Sequence, residues 1–201
     1  MAQVTLSSPS DTWLDNTNAT SNFGTNADMY VGEYGSGSQV SRALIKWDLS
    51  SIPSGSTITG VTMRLRDIGT NLGTNNRTMR VYRCLRAWVE TEATWNVYSS
   101  GNSWGTAGAA NTTSDREATD VGSISMPGTE VAQYYDITLT ASAVQEMFNG
   151  TIANNGFVLK MDTETDDMHR FYTVNNGSLQ PELVVDYDLP IPVGGFYYMS
   201  V

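Results

Sequence analysis

The chain has 201 residues, a formal net charge of −10 at pH 7 and a single cysteine, Cys84. This length predicts one domain whose core is large enough to fold without disulfides, and the acidic balance argues against a nucleic-acid partner, because phosphate neutralisation needs a basic surface. No stretch approaches the roughly 18 apolar residues of a membrane span, so we expect no membrane partner either.

Residues 42–66, RALIKWDLSSIPSGSTITGVTMRLR, carry the clearest structural signal. Apolar and polar side chains alternate on both sides of the turn-rich SSIPSGST, and only Leu44 breaks the pattern. A period of two over this length predicts two half-buried antiparallel strands. By the same criteria further strands are expected at residues 29–32, 78–86, 134–137, 157–161, 170–174 and 183–187.

One short helix is predicted at residues 142–149. Ser142 and Gln145 have the spacing of a capping box, an apolar stripe follows, and Gly150 suits the position just after a helix. About eight short strands with one helix predict an all-β fold, a two-sheet antiparallel jelly-roll sandwich. We expect this sandwich to occupy residues 1–188.

The last segment, residues 189–201, differs in character from the rest. It is uncharged and apolar, reads LPIPVGGFYYMSV, and carries Phe196, Tyr197 and Tyr198 near its end. Its prolines end the last strand, because proline cannot donate to a β-ladder. Two interpretations stay open: the tail folds back over its own sandwich, or it is an assembly tail that docks on another copy or another component.

Basic residues are concentrated between residues 42 and 86, which hold eight arginines and lysines against two acidic side chains. Arg64 and Arg66 share one strand face, and Arg80 shares a face with Tyr82. Guanidinium groups bind carboxylates in a bidentate manner, so these arginines are candidates for an anionic partner, either a uronate polymer or an acidic patch on another subunit. The alternative is that they pair with the chain's own carboxylates.

Aromatic side chains that could stack on sugar rings occur in predicted loops, at Trp13, Tyr98 and Trp104. Trp104, within GNSWGTAG, is the first candidate of the three for a binding residue.

Catalysis has little support in the sequence, and we expect no enzyme activity. No serine lies in a G-x-S-x-G motif, and the one histidine, His169, cannot with one cysteine supply a zinc site. A glycosidase needs only two carboxylates, which leaves Glu90 and Glu92 as weak candidates.

No cofactor is expected, with one exception, a possible structural Ca²⁺ bound by hard oxygen ligands. Two oxygen-rich stretches could supply the ligands, although neither fits an EF-hand; the alternative is that both are solvated acidic loops. The residues concerned are Asp11, Asp15, Asn16 and Asn18 in the first stretch and Asp162, Glu164, Asp166 and Asp167 in the second.

An ordered set of segments at residues 11–32, 41–66, 81–109, 135–160, 169–173 and 181–187 resembles the DNRLRE-domain family. These domains are similar to carbohydrate-binding modules and occur in many secreted bacterial proteins. The resemblance implies a jelly-roll sandwich, and some members are similar to modules that bind acidic polysaccharides such as alginate. It assigns no ligand residues to this chain.

Two features separate the chain from most members of that family. They are exported and attached to enzyme or adhesin domains, whereas this N-terminus, MAQVTLSSPSDTW, lacks the basic and apolar regions of a signal peptide. The chain also adds the apolar tail. We therefore predict a non-catalytic protein of a phage virion surface, made in the cytoplasm: a capsid decoration, fibre or tail-associated adhesin that contacts copies of itself or other virion proteins.

The main alternative is an extracellular polysaccharide-binding module of a secreted bacterial enzyme or adhesin. A third class, a glycan-active jelly-roll enzyme, has the weakest support in the sequence.

Overall fold

The alternating stretch at residues 42–66 forms two strands, as predicted, but these strands do not pair with each other. A computed structural model of the protein describes residues 1–35, 37–70, 72–129 and 131–190. The strands in these residues are β1 Ala2–Leu6, β2 Ser10–Asp15, β3 Asp28–Tyr34, β4 Gln39–Lys46, β5 Thr57–Arg66, β6 Arg77–Arg83, β7 Val97–Ser99, β8 Asn102–Ser103, β9 Gly122–Met126, β10 Tyr134–Leu139, β11 Phe157–Met161, β12 His169–Tyr172 and β13 Glu182–Asp188.

Most strands join one antiparallel sheet in the order β1-β13-β5-β10-β9-β6-β11-β4-β3-β12, with β2 also paired to β4. The sheet curls, because an isolated bridge between Asp67 and Phe171 brings the end of β5 to β12, seven places away in that order. The two halves therefore pack face to face. This arrangement confirms the prediction of an all-β antiparallel sandwich.

The core lies between the two halves of the curled sheet. Strand alternation sends Met63 and Leu65 of β5 inward from one side and Val31 and Phe171 inward from the other, all with no exposed surface. Arg64 and Arg66 on β5, and Tyr30 and Arg170 on β3 and β12, must then point outward, because successive side chains of a strand face opposite ways.

A second, smaller core explains why Leu44 breaks the alternation. Leu44 and Val158 lie on the outer face of β4 and β11, where the long excursion at residues 84–118 covers them with Trp88 and Trp104. Both faces of the sheet are buried at this point, and strands buried on both faces lose their alternation.

The helix, α1 Ala141–Phe148, begins one residue earlier than predicted, and the predicted capping box is absent. Thr140 occupies the N-cap position and makes no side-chain capping bond. Gln145 instead accepts a hydrogen bond from the Ile58 backbone N at 2.6 Å, joining the helix to β5. The Gln145 side chain is therefore used in this contact with β5 and is not available for the capping box. Gly150, with φ of 74°, follows the helix as predicted.

The strand at residues 157–161 matches its prediction, whereas β1, β2 and β9 were not predicted from alternation. The β2 strand shows why, because it buries Asp11 and Asp15 together with Trp13 and Leu14. A strand that buries carboxylates beside apolar side chains lacks the apolar–polar period on which recognition depends.

The β13 strand ends at Asp188, where the predicted sandwich domain also ends. The tail residues Phe196, Tyr197 and Tyr198 lie outside the described residues, so their predicted assembly role and the division into domain and tail stay predictions. Within the described residues, no helix has the length and hydropathy to cross a membrane.

Candidate functional site

A groove of about 400 Å³ lies on the outer face of β3 and β12. We call it the Tyr34 groove. Its main lining residues are Trp13, Asn26, Tyr30, Tyr34, Gln39 and Arg170.

Strand register places Arg170 and Tyr30 directly opposite each other. The Arg170 guanidinium lies 5.5 Å from the Tyr30 ring centroid and donates from Nε to Asp28 Oδ2 at 2.6 Å. Partial burial alone would lower the pKa of Arg170, but the hydrogen bond and charge of Asp28 outweigh burial and raise that pKa. The groove therefore contains a fixed, charged guanidinium beside an aromatic ring.

The floor of the groove is an aromatic stack. The Trp13 ring is 5 % exposed, is stacked on Phe23 with centroids 4.0 Å apart, and lies 4.7 Å from Tyr30. Its indole Nε1 is buried and has no hydrogen-bond partner among the residues that the structure describes. Rings packed this tightly give the groove a rigid apolar base.

The rim is held by buried carboxylates. Tyr34, at the end of β3, is 48 % exposed, and the preceding Glu33 is fully buried. Glu33 Oε1 accepts hydrogen bonds from the backbone N atoms of Gly37 and Ser38, which shapes the β3–β4 turn. Such multiple charge-assisted bonds stabilise a turn in one geometry. The turn therefore presents the Tyr34 ring at a defined position.

Gln39, across the turn from Tyr34, is oriented in a similar way. Its Nε2 donates to Oδ2 of the buried Asp15 at 3.2 Å. The groove thus combines an exposed ring, a planar amide and a guanidinium. The ring can stack on the face of a sugar, and the amide and guanidinium can hydrogen-bond to sugar hydroxyls.

Arg64 and Arg66 come together on the outer face of β5. Their guanidinium carbons lie 4.9 and 5.4 Å from the ring centroid of Tyr134, which is 39 % exposed. We call these three residues the Tyr134 surface. Arg64 donates to Asp136 Oδ1 at 2.9 Å and to Glu182 Oε2 at 3.1 Å. The hydrogen bond that Arg64 donates to Asp136 is the main cause that raises the pKa of Arg64.

Arg66 differs from Arg64, because it forms no ion pair with a carboxylate in the part of the chain that the structure describes. Arg80 lies apart from both, since β10 and β9 separate its strand from β5, and it donates to Asp120 at 2.9 Å. The candidate Arg80 therefore does not share a surface with Arg64 and Arg66. Several of them make the pairs with the chain's own carboxylates that the alternative interpretation predicts.

Trp104 does not present its ring to solvent. It is 5 % exposed, its indole Nε1 donates to the Thr94 carbonyl O at 2.9 Å, and Tyr98 packs on it at 5.5 Å. Trp13 lies in β2 rather than in a loop. The structure places both tryptophans in apolar cores, and among the described residues the exposed rings that could stack on a sugar belong to Tyr34 and Tyr134.

The candidate catalytic groups all make structural contacts. His169 is 2 % exposed, with Nδ1 2.7 Å from Asp67 Oδ2 and Nε2 3.0 Å from the Pro127 carbonyl O. Glu90 accepts from the Asp11 backbone N at 2.9 Å, and Glu92 accepts from the Ser100 backbone N at 2.8 Å.

The thiol of Cys84 is also unsuited to act as a nucleophile. Burial raises its pKa to about 12, so it stays protonated at neutral pH.

The carboxylates of the second acidic stretch bind different partners and do not meet at a common point where a cation could be held. Glu164 pairs with Arg42, Asp166 accepts from Thr74, and Asp167 accepts from the Glu33 backbone N. In the described ranges no group of three or more acidic, histidine or cysteine side chains is placed to hold a metal. The structural Ca²⁺ stays a prediction.

Comparison with known families gives one result. The family model described as carbohydrate-binding module family 96 matches residues 2–118, more than half of the chain. The matched range contains Trp13, Tyr30 and Tyr34 of the groove, together with Arg64 and Arg66, and it ends before Tyr134 and Arg170. No curated protein matches the chain. On the extent of the family match, the chain belongs to carbohydrate-binding module family 96.

Proposed function

We propose that this protein is a non-catalytic carbohydrate-binding module whose polysaccharide ligand lies in the Tyr34 groove. The observation that carries the proposal is a groove lined by the exposed Tyr34 ring, Gln39 and the Arg170 guanidinium, within a chain of a carbohydrate-binding family. Carbohydrate-binding sites of this composition use the ring for stacking and the polar groups for orientation.

The proposal that the protein is non-catalytic is supported by the structural contacts that the candidate catalytic side chains make. Glu90, Glu92 and His169 each accept from or contact main-chain atoms within the fold. An acidic polysaccharide is the ligand class we propose, because guanidinium groups bind carboxylates: Arg170 lines the Tyr34 groove, and Arg64 and Arg66 lie over the exposed ring of Tyr134.

Replacing Tyr34 with alanine is expected to weaken polysaccharide binding about tenfold. The variant loses the stacking ring, and aromatic contacts contribute ~0.5–1.5 kcal/mol beyond the area they bury, where 1.4 kcal/mol corresponds to about a tenfold change in affinity. Affinity electrophoresis in gels that contain alginate, polygalacturonate or a neutral glucan measures the change.

The matched control for that experiment is Val89→Ala, which removes another exposed apolar side chain away from the groove. It should leave retardation in every gel unchanged. If wild type and the Tyr34→Ala variant migrate alike in all three gels, the proposed function is wrong.

A role on a virion surface, with self-association through the tail, is a second proposal. It is supported by the uncharged apolar composition of residues 189–201, and a tail of this kind favours burial against another surface. A chain that ends at Pro190 should then elute as a smaller species than the full chain in size-exclusion chromatography. Equal elution volumes, after correction for mass, would contradict docking between copies.

A further inference from the structure

The closure of the curled sheet brings two arginines from strands far apart in the chain onto one outer surface. Asp67, directly after β5, forms a bridge with Phe171 of β12. The Ile68 backbone N donates to the Arg170 carbonyl O at 2.9 Å beside this bridge. Asp67 and Phe171 have no exposed surface and lie on the inner side. Because successive side chains of a strand face opposite ways, Arg66 and Arg170 both point outward, on neighbouring strands of one curved face.

The strand register places a row of outward side chains across this closure. Tyr134 of β10 lies opposite Arg66 of β5. On the other side of Arg66, the register of the antiparallel bridge puts Tyr172 of β12 opposite it. Tyr172 in turn lies opposite Asp28 of β3. The row therefore crosses from β10 to β3 over three strand spacings, a distance of ~14 Å.

This row continues into the Tyr34 groove through Arg170. Arg170 lines the groove and lies two residues before Tyr172, on the same outward side of β12. Its Nε donates to Asp28, the last residue of the row, at 2.6 Å. The Tyr134 surface and the Tyr34 groove are thus the two ends of one continuous outer surface. We call the part that joins them the closure band, and its residues are Tyr134, Arg66, Tyr172 and Arg170.

The two arginines of the closure band differ in their counter-charges. Arg170 is paired with Asp28. Arg66 is half-buried over the Tyr134 ring and, among the residues that the structure describes, forms no ion pair with a carboxylate. A guanidinium held over a ring without a counter-charge can donate to a carboxylate in bidentate geometry. The net charge of −10 opposes this contact only weakly, because charges more than about 8 Å away are largely screened at physiological ionic strength.

We propose that the closure band extends the Tyr34 groove into one long polysaccharide site, in which a polyuronate crosses the strands from the groove to Tyr134 and one of its carboxylates binds Arg66. The inference rests on the proposed function, because the groove forms one end of the site. A single sugar ring cannot cover the band, so the affinity for an oligosaccharide should rise with its length until the ligand reaches Arg66. The Tyr172 and Tyr134 rings offer apolar contacts along this path.

The test is calorimetric titration with alginate oligosaccharides and galacturonate oligosaccharides of increasing length. For wild type, one long oligosaccharide should bind per protein chain, and the affinity should rise with length. Arg66→Gln keeps a planar polar group and removes the charge. This variant should lose the rise and bind the longest oligosaccharides about tenfold more weakly, since hydrogen bonds to a charged group are lost.

Arg80→Gln is the matched control, because it makes the same substitution at an arginine whose strand is separated from β5 by β10 and β9. It should bind oligosaccharides of every length like wild type. Arg66→Lys keeps the charge and loses the bidentate geometry, so an affinity between those of wild type and Arg66→Gln is expected.

The outcomes separate the long site from the proposed function. If Arg66→Gln binds the longest oligosaccharides like wild type while Tyr34→Ala loses binding, the long site is wrong and the proposed function stands. Equal affinity of wild type for short and long oligosaccharides would also overturn the long site. If wild type binds neither uronate, the long site is overturned, and the migration of wild type and Tyr34→Ala in glucan gels decides the proposed function separately.

Discussion

Asp11→Asn should stabilise the protein above neutral pH, by about 2–4 kcal/mol at pH 8. The Asp11 side chain is 1 % exposed, and this burial, together with the nearby Glu90 carboxylate, raises its pKa from 3.8 to about 7. A hydrogen bond that the Val174 backbone N donates to Oδ2 at 2.8 Å opposes the rise. The other oxygen, Oδ1, has no hydrogen-bond partner among the described residues.

The direction of the pH dependence follows from proton counts. Below pH 4 the carboxyl is protonated in both the folded and the unfolded chain. Between about pH 4 and 7 the unfolded chain has lost this proton while the folded chain keeps it, so the free energy of unfolding falls as the pH rises. One pKa unit corresponds to about 1.4 kcal/mol, which sets an upper limit of about 4 kcal/mol for the loss.

An asparagine at position 11 cannot ionise, and its Oδ1 can still accept from the Val174 N. Urea unfolding of wild type and Asp11→Asn at pH 4, 5, 6, 7 and 8 measures the difference, which should be small at pH 4 and grow to its full size by pH 8. Asp48→Asn is the control at an exposed carboxyl, where hydrogen bonds from Ser50 lower the pKa instead. Parallel curves for wild type and Asp11→Asn across this range would contradict the argument.

Phe171→Ala should lower the free energy of unfolding by about 3–5 kcal/mol, the usual cost of removing a fully buried aromatic side chain. Phe171 has no exposed surface and contacts the rings of Tyr135 and His169. Its backbone bridges Asp67, and the neighbouring Arg170 carbonyl O accepts from Ile68 N at 2.9 Å. The residue thus lies where the curled sheet closes.

Denaturant unfolding measures the loss, and hydrogen exchange of the Ile68 amide reports on closure itself. Exchange at Ile68 should accelerate by a larger factor than at Leu159 in β11, which lies in the middle of the sheet. Tyr172→Ala, which removes the next side chain on the outward side of the same strand, is the control and should cost much less. A loss below about 1 kcal/mol for Phe171→Ala would show that closure does not depend on this side chain.

The strands with clear alternation could be predicted from the sequence, because alternation is a local property of a strand with one buried face. The β5 and β13 strands illustrate this, with Met63 and Leu65 or Leu183 and Val185 buried and their neighbours outside. The β2 strand and the capping of α1 could not be predicted in this way. Asp11 does not follow the apolar–polar alternation of a strand, and Gln145 does not cap its helix. Their side chains instead accept hydrogen bonds from distant backbone atoms, Val174 N and Ile58 N.

The candidate site was only partly accessible from the sequence. Arg64 and Arg66 could be assigned to one outward face by spacing alone, and the structure brings both to a single ring, Tyr134, which is remote in the sequence. Trp104 and Tyr34 show the opposite case. Both are large aromatic residues near glycine-rich turns, and nothing in their local sequence says that one is 5 % and the other 48 % exposed.

The sequence by itself determined an all-β class, the outward face of β5 and the acidic character of the molecule, because alternation and charge are read from neighbouring residues. Only the tertiary structure decided that β4 and β5 lie in different parts of the sheet, that the excursion at residues 84–118 buries Trp104, and that Tyr34 and Tyr134 stay exposed. The physical reason is that strand pairing and side-chain burial depend on contacts between residues far apart in the chain, which a local period does not specify.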